Sequence, residues 1–156
     1  MRGALQHGGR QAANQVGNVE IDRTGDGYEM SAGERYDNGM KVRRAVLGDA
    51  WVDRTQASKN EFNSEWQEFI TQTAWGDIWT RPGLDRRLRS VVVLSTTIAI
   101  GAWDEFRLHV RAAVNNGLTR DEIKEVLMQC AIYSGVPKAN HAFKEAQDVL
   151  KEMGLL

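Results

Sequence analysis

Glu105 and His109 stand four residues apart in the stretch GAWDEFRLHVRAAVNNGLT, residues 101–119. On a helix that spacing sets the carboxylate and the imidazole on one side. They lie at the margin of an apolar stripe of Trp103, Phe106, Val110, Ala113 and Val114. Two readings fit. A histidine at a core margin would simply hydrogen-bond its i−4 carboxylate. Alternatively, Glu105 orients the imidazole and favours its protonated form while the apolar wall keeps water away, an acid–base pair able to move one proton. The spacing leaves both open.

Arg43 and Arg44 are the second chemical feature: two adjacent guanidinium groups on the side of a predicted helix that also carries Met40 and Leu47. Such groups reach solvent, pair with Asp or Glu of this or another subunit, or bind an anion; the planar fork of arginine suits a carboxylate. Arg81, beside the break at Pro82 and Gly83, is a third candidate anion ligand. His141 sits among Lys138, Lys144, Glu145 and Asp148 and is read as solvated, and His7 falls in a polar N-terminal stretch. No two histidines have metal-ligand spacing, so no metal is expected. Cys130 reads as a small buried thiol. As the single cysteine, it excludes an intrachain disulfide, a Cys-rich zinc site and a dithiol redox cycle within one chain. Trp51, Trp75 and Trp79 read as core or interface residues.

The elements that must position these groups are helices. A chain of 156 residues fits one domain, and a formal net charge of −1 offers no broad basic surface for nucleic acid or membrane. No apolar run reaches the length of a membrane span, and the N-terminus lacks the apolar core of a secretory signal. One cysteine suits a reducing cytoplasm. Residues 1–33 are rich in Gly, Asn, Gln and Asp and poor in large apolar residues, the composition of a disordered tail. Residues 34–156 are the expected folded domain.

Within it six helices are predicted. The first carries Tyr36, Met40, Val46 and Leu47 and is capped by Gly48; a connector follows over 49–58. The second carries Phe62, Trp66, Phe69, Ile70 and Thr73 on one face and stops at Arg81-Pro82-Gly83. Asp85 is the N-cap of the third, 86–100, which is apolar nearly all round and so is central or at a subunit interface. The stretch bearing Glu105 and His109 is the fourth. Thr119 and Glu122 form a capping box for the fifth, with Ile123, Val126, Leu127, Cys130 and Ala131 facing inward. Pro137 opens the sixth, whose stripe runs from Ala139 to Met153. The fold class is all-α. Five tryptophans and the apolar third helix exceed what one small bundle hides, so a homo-oligomer is expected.

Four blocks, YDNGMKVRRAVLGDAWVDR, WGDIWTRPGLDRRLRSVVVLS, FRLHVRAAVNNGLTRDEIKEVLMQ and YSGVPKANHAF, taken in order, resemble the carboxymuconolactone decarboxylase family from about Arg35 to the C-terminus. That family shares its fold with the alkylhydroperoxidases. The redox members of the wider family carry Glu, eleven residues, Cys, two residues, Cys, three residues, His. Aligned on His109, the two thiol positions fall on Ala102 and Glu105 and the leading acid on Ser90. Only the histidine is kept, so the resemblance points to the decarboxylases and away from peroxide reduction.

The resemblance implies a six-helix bundle of alkylhydroperoxidase-like type, assembled as trimers or hexamers. It implies cofactor-independent decarboxylation of a lactone dicarboxylate, 4-carboxymuconolactone, to 3-oxoadipate enol-lactone in the protocatechuate branch of aromatic catabolism. The substrate carries its own electron sink, so the protein must hold two carboxylates, stabilise an enolate oxygen and deliver one proton. On that reading Arg43, Arg44 and Arg81 bind anions, His109 donates a proton or a hydrogen bond, and Glu105 orients it or shares the proton. The alternatives are an enzyme for another lactone and a non-catalytic helical subunit or binding module.

Overall fold

The computed structural model describes residues 30–156. Among them the chain is helical, with no strand. The helices are α1 (Ala32–Leu47), α2 (Asp49–Ala57), α3 (Ser64–Ile70), α4 (Arg86–Ile100), α5 (Trp103–Asn115), α6 (Arg120–Ser134) and α7 (Val136–Glu152). α3 runs on without a break into a π-helical segment, Thr71–Ile78.

Local signals explain most of the boundaries. Asp85 accepts the backbone N–H of Leu88 at 2.8 Å and starts α4. Thr119 and Glu122 close a reciprocal capping box on α6. Ser31 and Glu34 do the same for α1, so that helix opens at Ala32, just ahead of the expected boundary; losing such a cap costs about 1 kcal/mol. The first 29 residues of the expected tail lie outside the described residues.

Two expectations change. The connector over 49–58 is a helix. Gly48, at φ +85°, closes α1 and opens α2 at once, and α2 is anchored by a single fully buried side chain, Val52. The second predicted helix begins only at Ser64, after Phe62, and continues as a π-helix over Thr71–Ile78; its aromatic face points outward, with Phe62 97% exposed and Trp66 and Phe69 more than half exposed. Thr71, Trp75 and Gly76 are buried in its place. α1 packs against the small residues Thr71 and Gly76 on the opposite side.

The core has two parts. Leu94 and Ile98 of α4, Phe106 and Val110 of α5, Leu127 of α6 and Val149 of α7 anchor the larger one. Val46, Leu47, Val52, Trp75 and Ala112 form the smaller one, which joins α1, α2 and the π segment to α5. α5 therefore has two buried faces, with His109 between Phe106 and Val110 on one side and Ala112 on the other. Asn115 ties the end of α5 to α1 by donating to the Val46 carbonyl at 3.1 Å. That second packing surface turns the margin of the predicted stripe into interior.

Candidate active site

The π-helical segment organises the site. Three threonines around it turn their hydroxyls back onto carbonyls one turn earlier. Thr71 donates to Gln67 and Thr73 to Phe69, each at 2.7 Å, and Thr80 donates to Gly76. Such back-bonding competes with the helix ladder and bends it, and short π segments recur at functional sites. α1 lies against this segment at Gly39 and Gly76. A Cβ on Gly39 would collide with the Thr71 carbonyl, and one on Gly76 with the Arg35 carbonyl. Only hydrogen in place of a side chain permits the crossing.

That close crossing buries Arg43, one turn beyond Gly39. It is 3% exposed. Its Nη1 donates to Thr71 Oγ1 at 3.1 Å and its Nη2 to the Gln67 side-chain oxygen at 3.0 Å, while its Nε has no partner. No carboxylate pairs with it among the described residues. Burial pushes the guanidinium below its ordinary pKa. A buried cation held only by neutral acceptors is costly, and an arriving anion would relieve that cost.

His109 stands at the other end of the same row. It is 8% exposed, and its Nδ1 is buried without a partner. Its ring stacks on Trp79 with centroids 6.3 Å apart, and Trp79 stacks on Trp75 at 5.1 Å. Thr71, Trp75 and Trp79, spaced by four, thus link the arginine's partner to the histidine's. Burial alone drives the imidazole pKa from the ordinary 6.5 down to about 4, so it is neutral at pH 7. A neutral imidazole still donates one N–H to a developing oxyanion.

The remaining candidates do not join this row. Glu105 is exposed, and no hydrogen bond or ion pair links it to His109. The expected acid–imidazole pair is not formed, because the buried His109 ring stacks on Trp79 at the end of the π segment while Glu105 is exposed. With it goes the expectation of a carboxylate-stabilised imidazolium. Arg44 takes the structural alternative: it bridges α1 to α2 through Asp49 at 3.0 Å and Asp53 at 2.8 Å, and the hydrogen bonds it donates to those carboxylates raise its pKa. Arg81 lies exposed in the turn before α4, where its carbonyl accepts from Arg89 at 2.8 Å. No contact joins its side chain to Arg43 or His109.

Sequence reasoning missed Gln67 and Thr71 as the holders of Arg43, and Trp79 as the ring against His109. The four-residue ladder Gln67, Thr71, Trp75, Trp79 was the available signal. Trp79 also lines an open cleft of about 530 Å³ with residues of α1 and the start of α4. A smaller cleft of about 190 Å³ between α6 and α7 is walled by Ile123, Leu127, Phe143 and Leu150, with Arg120, Asp121 and Lys124 among its lining residues. Among the described residues, no group of three His, Cys, Asp or Glu side chains could hold a metal ion. No helix there is long and apolar enough to cross a membrane.

A sequence profile of the carboxymuconolactone decarboxylase family matches residues 64–148, a span that contains the π segment and His109. The chain is 44% identical over 126 residues to the 4-carboxymuconolactone decarboxylase of Acinetobacter baylyi, covering 81% of this chain and 94% of that protein. It is 42% identical over 118 residues to the nitrosuccinic acid decarboxylase of Metarhizium robertsii, covering 76% of this chain and 82% of the fungal one. A 48-residue 4-carboxymuconolactone decarboxylase sequence from Pseudomonas putida matches along its whole length at 60% identity.

Proposed function

This chain belongs to the carboxymuconolactone decarboxylase family, and from that premise we propose that it converts 4-carboxymuconolactone to 3-oxoadipate enol-lactone with release of CO2. The observation that carries the reading is Arg43: a buried guanidinium with no carboxylate partner, on the same aromatic row as a buried neutral histidine.

In the reaction, the bond between the γ-carbon and its carboxylate breaks and CO2 leaves. The electron pair passes through the ring C=C into the lactone carbonyl, giving a furanolate-like dienolate. A proton added at the α-carbon gives the enol-lactone. Arg43 supplies the fixed positive charge that draws the dianion in and balances the charge that remains. His109 donates its N–H to the carbonyl oxygen as that oxygen becomes negative. The growing charge raises the imidazole pKa, so the ring can collect a proton and pass it to carbon. The stacked faces of Trp75 and Trp79 form the dry wall against which the departing carboxylate loses its charge.

The fungal relative favours a second reading with the same chemistry. In nitrosuccinic acid, as in the lactone, the reacting carbon bears a carboxylate to be lost, a carboxymethyl arm and an electron sink. The sink is a nitro group in one and an unsaturated lactone carbonyl in the other. Both substrates are succinates substituted at C2 by a neutral group whose oxygen takes up the negative charge as CO2 leaves.

We further propose a homo-oligomer, a trimer or hexamer, in a reducing cytoplasm. Ile100, Ile132, Tyr133 and Val136, together with Phe62 and Trp66, leave more apolar surface exposed than a monomer ordinarily does. Light scattering showing a monomer would refute that. The test of activity follows CO2 and enol-lactone from 4-carboxymuconolactone generated in place. Turnover that is lost in His109→Ala supports the reading. Turnover of nitrosuccinate alone selects the second substrate, and inertness toward both, in a folded protein, overturns both assignments in favour of another lactone or a binding role.

A further inference from the structure

The open cleft beside Trp79 is lined by Met30, Asn38, Lys41 and Val42 from α1 and the residues leading into it, by Thr80, and by Arg86 at the start of α4. Among the described residues its ionisable lining groups are Lys41 and Arg86, with no Asp or Glu. Neither cation forms an ion pair or hydrogen bond among the described residues. Their cationic neighbours behave differently. Arg35 pairs with Asp77, Arg44 with Asp49 and Asp53, and Arg87 with Glu122. The nearest carboxylate in sequence, Asp85, is already taken by the Leu88 N–H. Asp37 lines a separate cleft that also holds Lys59. Two unpaired cations therefore face one cavity whose volume lies within the range of small-molecule sites. One wall of that cavity, Trp79, is the ring stacked on His109.

We propose that Lys41 and Arg86 bind the carboxylate that the substrate keeps, that of its carboxymethyl arm. This rests on the proposed decarboxylation and assigns the two substrate carboxylates different surroundings. A carboxylate that must leave as CO2 is held back by a cation, because the cation stabilises the ground-state charge more than the neutral product. A carboxylate that stays is free to be anchored strongly. The cleft cations meet the retained arm at the open side of Trp79, and the reacting carbon lies inward toward His109. Recognition of a charged arm on the substrate then resides in Lys41 and Arg86. Arg44 and Arg81 do not contribute to it.

The test compares wild type with Lys41→Gln, Arg86→Gln and the double variant. A Lys124→Gln variant controls for net charge; Lys124 lies on α6 beside Asp121 and Glu125. Steady-state turnover of 4-carboxymuconolactone gives KM and kcat. Calorimetric binding of succinate, with succinamide as the uncharged comparison, gives a readout that needs no turnover. A charge-assisted contact of this kind predicts a rise in KM of about 10- to 100-fold for each single variant, with kcat changed by less than about threefold. Succinate should bind wild type more tightly than succinamide, and the double variant should lose most of that preference; Lys124→Gln should behave as wild type. Unchanged KM and unchanged succinate preference in the double variant would overturn the proposal. Were the lactone not turned over but succinate still bound through these two residues, the anchor would stand and the decarboxylation reading would fall.

Discussion

The burial of His109 predicts a specific acid sensitivity. The folded protein resists protonating this ring, with a pKa pushed from 6.5 down to about 4, whereas the unfolded chain takes up the proton near the ordinary value. The contribution to stability is therefore fully present above pH 6.5. It is lost as pH falls toward 4, below which both states are protonated and nothing more is lost. At 1.36 kcal/mol per pKa unit, the full window corresponds to about 3 kcal/mol, and about 2 kcal/mol of it has gone by pH 5. The assay is urea unfolding of wild type and His109→Gln at pH 7.5 and pH 5, at one protein concentration so that any assembly equilibrium is held constant. Carboxylate titration affects both proteins alike, so it drops out of the difference between them. The stability advantage of wild type over the variant should shrink by about 2 kcal/mol between the two pH values. Imidazole nitrogen shifts should show a neutral ring at pH 6. Parallel pH profiles for the two proteins, or a ring that titrates near 6.5, would refute both the burial argument and the neutral-donor role built on it.

Other substitutions separate stability from catalysis. Arg43→Met exchanges a buried, incompletely satisfied cation for an apolar chain of similar length; thermal stability should hold or rise while kcat falls by about 10²- to 10³-fold. A loss of stability with activity kept would show that Arg43 is structural. Gly39→Ala drives a methyl group into the Thr71 carbonyl and Gly76 backbone. It should cost about 1–3 kcal/mol, lowering the melting temperature by several degrees, and activity should fall with it. An unchanged melting curve would mean that α1 can back away freely. Arg44→Ala removes an exposed corner pairing with Asp49 and Asp53, so KM for the lactone should stay as in wild type. A large rise would return Arg44 to the binding site.

The helical class, and much of its punctuation, was legible in the chain itself. Asp85, the Thr119–Glu122 box and Gly48 act through hydrogen bonds and backbone angles that span only a few residues, so the sequence records them directly. The inward stripes of α6 and α7 were legible for the same reason: each packs along one face, and a 3.6-residue period describes one face well. α5 and the π segment escaped that logic because each is packed on more than one side. Arg43 and Arg44 are adjacent and chemically equal in the sequence, yet a turn of about 100° on α1 sends one beneath the π segment and the other to the acids of α2. His109 looked like the partner of Glu105 because helical spacing counts only neighbours on the same helix. The small residues Gly39 and Gly76 let α1 approach, and Trp79 covers the ring from another element; together these contacts leave the imidazole buried and neutral. The chain thus determined by itself which segments are helical and which chemical groups were available. Which of those groups are drawn out of water, and so given altered charge and reach, was decided by contacts between helices distant in sequence, since desolvation depends on all the atoms around a group and not on its neighbours along one helix.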